Sequence, residues 1–117
     1  GRVELVGGRL RDMIIRGGEN IYPVEIENLL REHPSITEVA VFALPDKFYG
    51  EVVAAAIEST KPLSKDEIRK ACVGKIAGFK HPARVFTIVE WPMTSSGKIL
   101  KRMLKTAALD GQLKELL

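Results

Sequence analysis

Two β-prone runs, Ile36 to Leu44 and Val52 to Ile57, decide more about this chain than any other feature of it. Asp46 to Gly50 separates them. In the first run Val39, Val41 and Ala43 point one way, while Ala40, Phe42 and Leu44 point the other. Both sides are apolar, so the strand is expected to be covered on both faces. A sheet covered twice needs helices before and after it, and 117 residues supply them for one domain only.

The flanking segments carry helix signals. Pro23 opens a first helix at the position where its missing N–H is not needed. Glu25 and Glu27 read as negative charges near the helix start. Ile26, Leu29 and Leu30 make its apolar face, and Pro34 ends it at or before His33. Ser64 to Glu67 forms a capping box. Ile68, Ala71, Cys72 and Ile76 follow at helical spacing, with Gly78 as the expected stop. Arg84 to Glu90 reads as a third strand and Trp91 to Gly97 as a loop. Ile99 to Ala108 reads as a last helix, with Ile99, Leu100, Met103 and Leu104 on one side. The tail after Gly111 is expected to be loosely held. Before the first helix, Val3 to Val6 and Met13 to Ile15 read as a two-stranded hairpin, ended by Gly17-Gly18. The expected class is α+β: a three-stranded sheet flanked by helices, plus an N-terminal two-stranded hairpin.

Composition closes off several functions. Hydrophobic residues make up 45% and charged residues 28%, which is globular and argues against wholesale disorder. Val52 to Ile57, an apolar run that none exceeds, is too short for a transmembrane segment. A single cysteine forms no internal disulfide. With no charged-then-apolar leader at Gly1, that points to a cytoplasmic protein. The missing initial Met points to a piece of a longer chain. A net charge of +3 gives weak attraction to anions and no strong case for nucleic acid.

Few residues here invite chemistry. Cys72 lies on the apolar face of a capped helix and reads as packing. His33 and His81 lack partners at ligand spacing, so no metal site is expected. Ser96-Gly97-Lys98 is not a phosphate loop, because Pro92 and Ile99 stand where that motif needs Gly and Ser or Thr. Two segments stay open. Thr94-Ser95-Ser96-Gly97-Lys98 leads into a basic helix with Lys101, Arg102 and Lys105. It is either a flexible turn beside a solvated cationic face, or a mobile ammonium for an anionic substrate. Gly8-Arg9-Leu10-Arg11-Asp12 and Arg16-Gly17-Gly18-Glu19-Asn20 are either tight turns or a place for close backbone approach by a ligand.

Taken together, these segments resemble the adenylate-forming enzymes: acyl-CoA synthetases, adenylation domains of peptide synthetases, and luciferases. Gly8 to Glu27 looks like the family's hinge motif, glycine loop and first helix. Pro92-Met93-Thr94-Ser95-Ser96-Gly97-Lys98 looks like its terminal lysine motif. The likeness covers the family's small C-terminal domain, residues 1–117, without the large N-terminal domain that binds ATP and the acyl group. Residues 1–22 would be hinge and hairpin, and 23–117 the α+β core with the lysine loop. The resemblance implies an AMP-forming acid–thiol ligase. A fatty or aryl acid is activated with ATP and Mg, held mainly by the large domain, and then passed to coenzyme A after a domain rotation. By itself the small domain is expected to be inactive.

By resemblance, Lys98 is the catalytic cation, Arg9 reaches the nucleotide ribose, and Arg11 is the hinge, where relatives carry Asp or Lys. Gly17 and Gly18 line the tunnel for the thiol arm. Tyr49, Phe79, Lys80, His81 and Arg84 match positions that meet coenzyme A, with core packing as the alternative for Tyr49 and Phe79. The expected partners are the chain's own large domain, ATP, a carboxylic acid and coenzyme A. The glycine motif looks more like acyl-CoA synthetases than peptide synthetases. A basic RNA- or lipid-binding module is the competing reading outside the family, against which stands the scarcity of strand aromatics, Phe42 and Phe86 alone.

Overall fold

The two β-prone runs do form the centre of the molecule. In a computed structural model that describes residues 13–117, they are β3 (Ile36–Asp46) and β4 (Gly50–Ser59), paired antiparallel. Before them come β1 (Ile14–Arg16), β2 (Glu19–Ile21) and α1 (Pro23–Arg31). After them come α2 (Lys65–Cys72), a 3-10 turn (Gly78–Lys80), β5 (Arg84–Thr87), α3 (Lys101–Leu109) and β6 (Lys114–Leu116). Arg9, Arg11 and the strand expected over Val3 to Val6 lie outside the described residues.

The main sheet runs β3-β4-β5-β6, with β4 and β5 parallel and the other neighbours antiparallel. Both faces are covered, as the alternation required. Val39, Val41, Val53, Ala55, Ile57 and Val85 join one buried cluster with Ile26 and Leu30 of α1 and Ile68 and Cys72 of α2. Ala40, Phe42, Leu44, Ala54, Ala56 and Phe86 join a second cluster with Leu104 and Ala108 of α3. Burying a side chain such as Leu104 stabilises by about 1.5–3 kcal/mol, so α3 is held by its apolar face. The open edge of β3 is covered by side chains: the Val41 N–H donates to Glu27 Oε2 at 2.8 Å, and the Val39 N–H to Glu38 Oε1 at 3.0 Å.

The class is α+β, and four details differ from expectation. The tail after Gly111 is not loose: β6 adds a fourth strand beside β5. Gly17-Gly18 is the turn of a hairpin, between β1 and β2, where it was expected only to end one whose first strand lies outside the described residues. The φ angles of +56° and +89° at these glycines suit the two-residue turns that match strand twist. α2 stops at Cys72, because Gly74 takes a left-handed φ of +78° well before Gly78. Ile76 therefore packs on the core from the following turn. Lastly, β5 and α3 are shorter than read. Val89 is exposed, Ile99 forms a bridge with Met93 instead of a helical turn, and Met103 is half exposed.

Candidate functional site

Two tight turns carry the candidate residues, and their roots pack on opposite faces of the sheet. The β1–β2 hairpin is anchored on the α1 and α2 face by the fully buried Ile14 and Ile21. Its turn is fastened to the end of the β3–β4 hairpin. The Gly17 N–H donates to the Tyr49 carbonyl at 2.9 Å, and the Ile15 N–H donates to Glu51 Oε1 at 2.9 Å. A Cβ on Gly17 would sit 3.3 Å from Tyr49 Cδ1. Gly18 has open space where a Cβ would go, but its φ excludes most other residues. The guanidinium of Arg16 lies 3.6 Å from the centre of the Tyr49 ring, and Phe48 meets that ring edge-on. Arg16 was not singled out from sequence. Only its place next to the glycines could have flagged it.

The second turn spans Thr94 to Lys98, on the α3 face. It is not a floppy loop. The Thr94 N–H donates to the Lys98 carbonyl (2.8 Å), the Gly97 N–H to the Thr94 carbonyl (2.9 Å), and the Lys98 N–H to Thr94 Oγ1 (3.1 Å). Thr94 and Ser96 share a hydroxyl hydrogen bond of 2.8 Å. Gly97 takes a φ of +90°, which closes the turn. Below it, Ile99 packs against the second cluster. Trp91 fixes the incoming chain by donating from Nε1 to Glu58 Oε1 at 2.8 Å. Lys98 itself is exposed. A hydrogen-bonded turn thus presents an exposed ammonium.

The other sequence candidates are drawn apart by their own partners. Gly17 and Tyr49 are brought together. Phe79 packs against the first cluster, so it serves at least as core. Lys80 Nζ pairs with Glu25 at 2.9 Å. His81 Nε2 is buried with no protein hydrogen-bond partner among the described residues. Arg84 makes two hydrogen bonds to Glu115, Nε to Oε2 at 2.9 Å and Nη2 to Oε1 at 2.8 Å. That pairing raises the guanidinium pKa and holds the Glu115 carboxyl below the usual carboxylate range, burial opposing each shift in part. Arg84 therefore ties β6 to β5. Burial pushes the Cys72 thiol pKa up, in keeping with a packing residue.

Glu27 is a residue that sequence reasoning misplaced. It is not an exposed charge at a helix start but is 9% exposed, accepting from Val41 and paired with Lys101 Nζ at 2.9 Å. The clue was its position one turn after the buried Pro23 and three residues before Leu30, within the apolar arc. The open aromatic sheet of an RNA-binding module is also missing: Phe42 and Phe86 are 4% and 1% exposed. No group of three metal-ligating side chains occurs among the described residues, and no helix there is long and apolar enough to cross a membrane.

Comparison with known proteins bears on the same stretch. A family profile described as the AMP-binding enzyme C-terminal domain matches residues 25–98. The chain is 47% identical over 107 residues to the YngI protein of Bacillus subtilis, covering 90% of this chain and 20% of that protein. It is 43% identical over 102 residues to the mitochondrial medium-chain acyl-CoA ligase ACSF2 of Danio rerio, covering 86% of this chain and 17% of that one. A fatty acyl CoA synthetase of Mycobacterium tuberculosis superposes with a TM-score of 0.83 at 39% identity, covering 88% of this chain and 21% of that one. The chain thus spans about a fifth of the length of the relatives it matches. The zebrafish relative is mitochondrial by name, so the fold does not carry the cytoplasmic expectation. From the profile match, these identities and the shared α+β fold, the chain belongs to the AMP-binding enzyme C-terminal domain family of the acyl-CoA synthetases.

Proposed function

We propose that this chain is the small mobile domain of an AMP-forming acyl-CoA synthetase. That enzyme joins a carboxylic acid to ATP, giving acyl-adenylate and pyrophosphate. It then passes the acyl group to the thiol of coenzyme A, releasing AMP. In the first step a carboxylate must approach the α-phosphate of ATP. Two like unit charges about 4 Å apart repel by about 4 kcal/mol at an effective dielectric of 20. A cation delivered to the reacting oxygens offsets this and stabilises the charge that builds there. Lys98 serves as that cation. Its ammonium reaches the large domain, which holds ATP, its Mg and the acid.

In the second step the small domain turns and offers the Gly17-Gly18 face instead. A backbone without side chains leaves room for a thin thiol arm. Tyr49 offers an aromatic edge for the coenzyme A adenine, beside the Arg16 cation. Arg9 reaches the ribose of the nucleotide, and Arg11 absorbs the rotation in its backbone angles. Phe79, Lys80 and His81 border the coenzyme A path. Arg84 supports that border through its pair with Glu115.

The observation that carries this reading is the exposure of Lys98 on a hydrogen-bonded turn, on the sheet face opposite the anchors of the glycine turn. The test measures the two half-reactions separately in the whole enzyme. Lys98→Ala should lower pyrophosphate release by orders of magnitude while sparing thioester formation from supplied acyl-adenylate. Arg11→Pro, which fixes φ, should do the reverse. Normal pyrophosphate release by Lys98→Ala would sink the assignment. The isolated domain, lacking the ATP pocket, should release no pyrophosphate.

A further inference from the structure

The start of α3 runs against the rules for helix starts. Its N-cap, Leu100, offers no side-chain acceptor, and no acidic residue stands in its first turn. Its first two residues are instead Lys101 and Arg102. Cations there face the positive end of the helix dipole, which favours anions. Local rule-breaking of this kind calls for compensation from elsewhere in the fold.

The compensation comes from α1. A single carboxylate oxygen, Glu27 Oε2, accepts from the Val41 N–H at 2.8 Å and pairs with Lys101 Nζ at 2.9 Å. Glu27 therefore joins three elements: its own α1, the open edge of β3 that follows it, and the first residue of α3, which is distant from both in sequence. It reaches round the sheet edge from one covered face to the other. Little slack separates Lys101 from Lys98. Ile99 bridges Met93, and the Leu100 N–H donates to the Pro92 carbonyl at 2.8 Å.

We infer that the Glu27–Lys101 pair positions the lysine turn, setting where the Lys98 ammonium arrives when the small domain closes for adenylation. This inference rests on the proposed role of Lys98. Lys101 and Glu27 are positioning residues and touch no reacting atom. Removing either partner breaks an ion pair whose side chains are only 23% and 11% exposed, and so loosens the root of the turn. A displacement on the order of 1 Å is enough to cost a reaction about a hundredfold.

The experiment uses the whole enzyme with Lys101→Met, Lys101→Arg, Glu27→Gln and Lys98→Ala. Thermal melting checks the fold. Adenylation is read by pyrophosphate release, and the thiol step by thioester formation from supplied acyl-adenylate and coenzyme A. Lys101→Met and Glu27→Gln should lower the adenylation kcat by about tenfold to a hundredfold, with the KM for ATP and the thiol step unchanged. Lys101→Arg should restore most of the rate. Glu27→Gln keeps an acceptor for Val41, so it carries the test if Lys101→Met fails to fold. Unchanged adenylation in Lys101→Met or Glu27→Gln overturns the inference. So does an equal fall in both steps, or no rescue by Lys101→Arg. Normal adenylation in Lys98→Ala overturns the functional reading itself. Loss there beside an unaffected Lys101→Met overturns the positioning inference alone.

Discussion

The glycine turn at Gly17-Gly18 and the lysine turn from Thr94 to Lys98 are built to opposite specifications. The first is a turn with nothing on it. Two positive φ angles require glycine, and Gly17 is tied to the sheet through its backbone, by a hydrogen bond to Tyr49. The second is a pedestal. Thr94 spends both its backbone and its hydroxyl on holding the turn shut, and the only long side chain raised on it is Lys98. One turn offers the absence of side chains, the other offers a single charge. The strands below the glycine turn are buried on the α1 and α2 face while its tip is bound to Tyr49, which packs on the α3 side; the lysine turn stands wholly on the α3 side. Under the proposed mechanism, movement of the whole domain exchanges them, and loop flexibility has little part in it.

The largest effect that would break this contrast belongs to the lysine. Lys98→Ala should lower pyrophosphate release by about 10²–10³-fold, roughly 3–4 kcal/mol, and leave the melting temperature alone because the side chain is exposed. Next comes Gly18→Leu, measured by thioester formation from supplied acyl-adenylate. It should fall at least about tenfold through bulk, with about 1–2 kcal/mol lost from stability because φ is +89°. Gly18→Ala sharpens the point: it carries the same backbone strain with far less bulk. If both variants lose the thiol step equally, strain and not the tunnel is responsible.

Smaller still is the effect of acid on β6. The Glu115 carboxyl is held below its ordinary range by Arg84, so this pair stabilises the fold above about pH 4, the unfolded carboxylate value. The contribution fades as pH falls through the lower folded value. Both partners are part exposed, so it is worth about 1 kcal/mol or less. Protection of the β5 and β6 amides, relative to their intrinsic exchange rate, should fall below about pH 4, and Glu115→Gln should show that lower protection already at neutral pH. The smallest effect expected is that of Ser64→Ala. It removes one half of the capping box on α2, lowers Tm by a few degrees, and changes neither half-reaction.

What the sequence made legible was local. Pro23, the Ser64–Glu67 box and the two-sided apolar alternation of β3 each carry their instruction within a few residues. The features it hid depend on distant partners. Lys114 to Leu116 has no strand pattern of its own length, and pairs only because Arg84 and the open side of β5 are waiting. Glu27 looks like any early helix acid until Val41 and Lys101 arrive from two other elements. Gly17-Gly18 was visible as a break, but which strands it joined was a question of pairing. In the candidate site, Lys98 and the glycines were legible by motif. Phe79, Lys80, His81 and Arg84 were marked in the same way; core packing was already the alternative for Phe79, while the buried nitrogen of His81 and the ion pairs of Lys80 and Arg84 were not visible.

Thr87 sits opposite Lys114, so everything between them leaves the sheet and comes home to the adjacent rung. The ammonium-bearing excursion is stitched at both hems, and a cut just ahead of Lys114 would turn a closed circuit into a dangling sleeve. Under the proposed mechanism, removing Lys114 to Leu116, and with it the Glu115 partner of Arg84, weakens the first chemical step from far behind it.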